Sequence, residues 1–196
     1  MLCGNIVPPD NVEPRDGLHS HLGETDMAAK KEKNLEDLFL ATLKDIYYAE
    51  KKILTALPKM AKAAQSKELR QAFEKHTRET EGQVGRLEQV FKIMGQAAKG
   101  KKCEAIEGLI EEGKEVMKDF KGSDALDAGL LCAAQAVEHY EISRYGTLKT
   151  WANELGYKDA VKLLDTTLKE EKATDSTLSQ IAESEVNQHA ETAQAA

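Results

Sequence analysis

The stretch AAQAVEHYEISRYGTLKTW, Ala133 to Trp151, places Glu138 and Glu141 on a helix face that should be apolar. At about 100° per residue, Ala134, Glu138, Glu141, Tyr145 and Leu148 share one narrow stripe. Three other segments carry the same fault. Glu50 falls between Ile46 and Ile53, and Glu171 falls between Thr167 and Asp175, with Leu164 and Leu178 beyond. In the fourth, His76 and Gln83 stand near the stripe centre and Glu79 at its flank. An ionised carboxylate taken out of water loses its hydration. Several together must take up protons or be compensated by a cation. Carboxylate oxygen with imidazole nitrogen suits iron or manganese, and zinc also fits; the thiolates of a structural zinc site are missing from these stripes. The candidate ligands are Glu50, His76, Glu79, Glu138, Glu141, Glu171 and Asp175, around a dinuclear centre, with His76 either a ligand or a residue that orients one.

Each residue also has a blander reading. Glu79 and Asp175, taken singly, read as flank acids that reach water or a basic partner. His76 alone reads as a hydrogen-bonded core histidine, Thr80 and Gln83 as hydrogen-bonding spacers, and Tyr47, Tyr48, Tyr140 and Tyr145 as packing. Coincidence near the middle of four helices favours the metal reading, because mid-helix positions of a bundle meet at one level.

The elements that must position these groups are helices. The first runs from about Asn34 to Gln65, with Leu35, Phe39, Thr42, Ile46, Ile53, Leu57 and Met60 on its stripe and a kink or break expected at Pro58. The second spans about Lys67 to Met94 and ends in the glycine-rich, basic GQAAKGKK. A short amphipathic helix follows in CEAIEGLIEEGKEVMKDF. Ser123 or Asp124 should cap the next helix, Ala125 to Leu155, and the last spans Lys158 to Val186. No segment reads as a strand. Two helical hairpins joined by a long crossover containing a short fifth helix predict an all-α, ferritin-like four-helix bundle over residues 34–186. Residues 1–33, with Pro8, Pro9, Pro14, His19 and His21, read as a disordered tail, and residues 187–196, with His189, as a frayed end. Met27 looks like a natural start. A chain beginning there should keep its helicity and melting temperature; a large loss of stability would show that the removed residues dock.

Composition narrows the function. The 196 residues are 41% hydrophobic and 31% charged, enough for one sizeable core, and the net charge of -7 lacks the basic stripe of a nucleic-acid binder. No apolar run approaches the roughly 20 residues of a membrane span. Cys3, Cys103 and Cys132, odd in number, suggest reduced thiols in a cytoplasm. Opposite its acidic stripe the Ala125–Leu155 helix carries Gly129, Cys132, Ala136, Ser143 and Thr147. That side should be packed as well, by the crossover or by a second subunit, with Cys132 a buried small residue.

DIYYAEKKI, HTRETEGQ, VEHYEISRYGTL and EEKATD resemble segments of the YciF-like bacterial stress proteins, the DUF892 family, and the resemblance covers about Asn34 to Val186. It implies a ferritin- and rubrerythrin-like fold, a homodimer rather than a 24-subunit cage, and metal binding through Glu50, Glu79, Glu138, Glu141 and Glu171. The usual di-iron pattern has Glu-x-x-His on two helices. Here one helix offers the reverse, His76-x-x-Glu79, and the other offers Glu171-x-x-Thr174 with Asp175 one step on. This departure bears on the second metal position and on oxygen-activating chemistry.

The sequence therefore points to a cytoplasmic, homodimeric, ferritin-like metal-binding protein of the stress response, linked to oxidative protection. If it turns over, the reaction class is oxidoreductase chemistry on oxygen, peroxide or ferrous iron. The alternative is a non-catalytic helical scaffold whose inner acids are protonated or paired with Lys51, Arg144 or Lys172.

Overall fold

The computed structural model describes residues 32–192; the tail expected for residues 1–33 lies outside them up to residue 31, as do residues 193–196. Among the described residues all regular structure is helical: α1 (Leu35–Ala63), α2 (Lys67–Ile93), α3 (Glu104–Asp119), α4 (Leu126–Glu154) and α5 (Lys158–Ile181), then a π-helical turn Ala182–Val186 and α6 (Asn187–Thr192). Helices α1 and α2 form one hairpin and α4 and α5 the other. Helix α1 also packs on α4, and α2 on α5, closing a four-helix bundle. The crossover helix α3 lies outside it against α4 and α1.

Local chemistry sets the helix ends. Asn34 and Asp37 exchange side-chain and backbone hydrogen bonds, a capping box that opens α1. Ser66 caps α2 by accepting from the Leu69 amide. Gly95 and Gly156, at φ 66° and 78°, close α2 and α4 in Schellman motifs, with Gln96 N bonded to Phe91 O and Tyr157 N to Ala152 O. Helix α1 runs through Pro58 without a break. Pro58 faces solvent, so water can serve the carbonyl that its ring deprives of a donor. The start of α4 also differs from expectation: Ala125 holds the cap position without a side-chain cap, and Ser123 Oγ instead accepts from the Ala125 amide in the preceding turn.

Asp127 was not singled out by its sequence context. It is 7% exposed, and its two carboxylate oxygens accept from the amides of Gln65 and Ser66 at 2.8 and 2.5 Å. One carboxylate at the start of α4 thus ties down the α1–α2 turn. Replacing it with Ala strands two amides whose partner was charged, so Asp127→Ala should cost about 2–3 kcal/mol in urea unfolding. A change under about 0.5 kcal/mol would mean the turn holds without it.

The back of α4 is covered in part by the crossover. A Cβ placed on Gly129 would sit 2.6 Å from Val116 Cγ1, and one on Gly113 would sit 3.7 Å from Ala133 Cβ. Glycine at 129 therefore lets α3 close on α4. Cys132 is exposed, contrary to expectation, because α3 passes over the Gly129 and Ala133 side of α4 and leaves the neighbouring face open. The buried cysteine is Cys103, whose Sγ lies 3.0 Å from the Tyr140 hydroxyl.

Candidate metal centre

The apolar stripes are interrupted by acids at one level of the bundle. Ala134, Glu138, Glu141, Tyr145 and Leu148 are all buried along α4. Glu50 of α1 and Glu171 of α5 are 0% exposed, and His76 of α2 is 2% exposed. One ligand atom from each of His76, Glu138, Glu141 and Glu171 can be chosen so that all lie within 4.8 Å of one another. His76 Nε2 is 3.1 Å from Glu138 Oε1 and 3.9 Å from Glu171 Oε2. Glu50 adjoins the group at Glu141, whose charge it opposes.

The surrounding side chains hold the acids in place. The Tyr145 hydroxyl donates to Glu50, and Gln83 Nε2 donates to Glu171. Arg86 reaches in from α2, pairing with Glu170 and donating through Nε to Thr167 Oγ1 at 2.8 Å. On the far side of the imidazole, His76 Nδ1 lies 3.5 Å from Thr174 Oγ1 and 3.9 Å from Glu79 Oε2. Such groups fix a ligand's orientation.

Besides Glu50, which adjoins it, two sequence candidates lie outside the four-residue group. Glu79 is partly exposed; it pairs with Lys75 at 2.5 Å and touches the centre only through His76. Asp175 Oδ1 lies 3.2 Å from His139 Nε2 and 3.2 Å from Gln135 Nε2. The rotation of α5 turns Thr174 inward in its place. Tyr145, Thr174 and Arg86 belong to the surroundings of the centre: Tyr145 does more than pack, Thr174 stands where the di-iron pattern has a histidine, and the sequence stripe does not single out Arg86. Arg86 did leave a signal: it follows Gln83 by three residues, on the same side of α2.

The electrostatics are those of a cluster short of positive charge. Burial pushes the carboxyls of Glu50, Glu138 and Glu141 well above the usual range. The charge of Glu171 adds to this for Glu50 and Glu138, and that of Glu50 does so for Glu141. Glu171 is also raised by burial, with His76 opposing. Glu79 goes the other way, lowered first by the neighbouring His76 imidazole and further by Lys75. The basic groups that a purely structural reading would enlist lie elsewhere. Lys51 Nζ sits 5.3 Å above the Tyr47 ring, Arg144 faces Asp45 and the Tyr140 ring, and Lys172 is exposed.

The donor set fits a metal. Glu50 Oε2, His76 Nε2, Glu138 Oε2, Glu171 Oε2 and both carboxylate oxygens of Glu141 are buried without a hydrogen-bond partner. Buried polar atoms are ordinarily satisfied, so this many in one place calls for a partner that binds lone pairs. Five residues offering oxygen and imidazole nitrogen suit iron, manganese or zinc. Among the described residues no thiol contributes: Cys103 bonds with Tyr140 and Cys132 faces outward.

Comparison with known proteins agrees with the fold. A family model described as a domain of unknown function, DUF892, matches residues 34–191. Protein YciF of Escherichia coli (strain K12) is 49% identical over 160 residues, covering 81% of this chain and 96% of its own. The crystal structure of the E. coli stress protein YciF superimposes with a TM-score of 0.76 at 48% identity, over 80% of this chain and 99% of that one. YcfI from Rhodopseudomonas palustris gives 0.74 at 48% identity, over 77% and 96%. A protein of Xanthomonas campestris, 21% identical, shares the fold with a TM-score of 0.65 over 82% and 98%.

Proposed function

The chain belongs to the DUF892 family, and we propose that it is a ferritin-like metal-binding protein of the bacterial stress response, with a dinuclear iron or manganese centre inside its bundle. The observation that carries this reading is the convergence of six unpartnered, buried ligand atoms from four helices. Glu50, His76, Glu138, Glu141 and Glu171 would hold the metal. Once bound, iron or manganese would supply electron transfer, the chemistry that oxidative protection requires. Tyr145 would orient Glu50, Gln83 would orient Glu171, and Thr174 and Glu79 would hold the imidazole through Nδ1. Leu43, Ile46, Leu87, Leu148 and Leu164, each no more than 1% exposed, would close the bundle to water at the end that they fill.

Elemental analysis of protein purified without added chelator tests the proposal. About two iron or manganese ions per chain are expected, from the carboxylate-bridged plan of such bundles. Chain that stays metal-free after incubation with ferrous or manganous salt, with no rise in melting temperature, would refute it.

A second reading, a non-catalytic scaffold, is favoured by one observation: among the described residues His76 is the only histidine in the cluster, where the two-histidine di-iron plan wants another. Metal content separates the two. No helix among the described residues is long and apolar enough to cross a membrane, and the reduced cysteines Cys103 and Cys132 fit the cytoplasmic location we assign.

We also assign a homodimer. The face of α4 carrying exposed Cys132 and Ser143 and half-buried Ala136 is left open by α3, and Phe120 is 46% exposed at the end of the crossover. Light scattering should report about twice 21.6 kDa, and a monomer at micromolar concentration would sink the assignment.

A further inference from the structure

Beneath the crossover helix lies a cavity of about 250 Å³. Its walls are mostly apolar, with Leu57 and Met60 from α1, Phe73 from α2, Ile110 and Met117 from α3 and Val137 from α4, and they also carry the Lys52–Glu107 ion pair. Its inner end is formed by His76 and Glu138, each 2% exposed. Its outer end is marked by Lys59 and Lys114, which are exposed. The cavity thus leads from the surface to two polar side chains of the cluster, at which His76 Nε2 and Glu138 Oε2 lack hydrogen-bond partners.

Protein interiors are close-packed, and a void destabilises in proportion to its volume. An engineered apolar cavity of about 150 Å³ stays dry and takes up benzene. The one here is larger, with lysines at its mouth and polar groups at its buried end. We propose that it is a binding site for a small neutral apolar molecule, an alkyl chain or one aromatic ring, whose hydroxyl-type end group points at His76 and Glu138. A protein segment fits less well, because these walls offer its backbone amides and carbonyls few partners. An anionic end group is disfavoured at the inner end by Glu138 and the acids behind it. The assignment stands independently of metal, since the walls provide the affinity.

Calorimetric titration of the full-length chain with straight-chain alcohols of increasing length tests this, on protein as purified and again with chelator. Saturable binding is expected in both, tightening about four-fold per added methylene until the cavity is full. The alkanoate of equal length should bind more weakly than its alcohol. Ala56→Leu on α1 and Ala133→Leu on α4 fill the cavity from different walls, away from the cluster. Each should keep the melting temperature and weaken alcohol binding at least tenfold. If one variant fails to fold, the other carries the comparison. Three results would overturn the proposal: no saturable binding, alkanoates binding more tightly than alcohols, or chain-length dependence unchanged in a folded cavity-filling variant. Loss of binding only after chelation would overturn its independence from metal.

Discussion

Glu141→Gln raises the melting temperature of the metal-free protein and lowers that of the metal-loaded protein. Glu141 is 0% exposed, neither of its oxygens has a hydrogen-bond partner, and Glu50, Glu171 and Glu138 all repel its charge. Without metal, the folded chain must keep a proton on such a group or tolerate its charge. Gln imitates the protonated acid at no such cost, and a gain on the order of 2 kcal/mol is expected at neutral pH. With metal, the same oxygens become ligands. A metal present at about a thousand times its dissociation constant stabilises the native state by about 4.1 kcal/mol; a lost ligand forfeits most of that, which leaves a net loss of roughly 2 kcal/mol once the metal-free gain is subtracted. At roughly 2–4 °C per kcal/mol for a chain of this size, the two shifts are several degrees each and opposite in sign. Glu50→Gln and Glu171→Gln should behave likewise. Glu74, exposed on α2, serves as control and should shift neither curve. Parallel shifts of the Gln variants with chelator and with metal would exclude the centre, because a scaffold with protonated acids is indifferent to the ion.

The metal-free protein loses stability as pH rises above the carboxylate range. Glu50, Glu138, Glu141 and Glu171 are all raised in the fold, burial being the leading cause. Between the unfolded value, about 4.3, and the folded value of each, the native state holds a proton that the unfolded chain has released. The unfolded state then binds fewer protons, so stability falls with pH by about 1.4 kcal/mol per pH unit for each proton retained. Each retained proton keeps costing stability with rising pH until the folded value of its carboxyl is passed. The lowered acids do not offset this. Asp165, brought down to about 2 by Lys169 and Lys149, is ionised in both states across that window. Glu141→Gln should flatten the slope by about one proton. Metal should reverse it, since binding expels protons from its ligands and grows stronger with pH. Urea unfolding at several pH values, with chelator and with manganese, measures both slopes. A metal-free stability that is flat or rises from pH 5.5 to 7.5 would show that the acids are ionised and compensated by other means.

The helices and their inward faces were legible because both are written at short range. A period of 3.6 gives the angle of each side chain about its own axis, so Ala134, Glu138, Glu141, Tyr145 and Leu148 could be placed on one buried stripe without knowing what they faced. The same reasoning located Glu50, His76 and Glu171. Acids on three inward stripes and an imidazole on the fourth were the clue to a cation, since each buried acid alone would cost the fold its hydration energy. Only the tertiary structure decided which flank positions count. Thr174 and Asp175 lie 100° apart on α5, and either could have been inward; the packing of α5 on α2 and α4 brought Thr174 to His76 and left Asp175 to His139. Glu79, one step off the centre of α2, was left to Lys75. The hydrogen bond from Tyr145 to Glu50, the tie from Asp127 to the α1–α2 turn, the exposure of Cys132 and the cavity under α3 depend on the register between helices distant in sequence. That register is set by how whole side-chain surfaces interlock across the bundle, a property of pairs of helices that no single helix carries in its own residues.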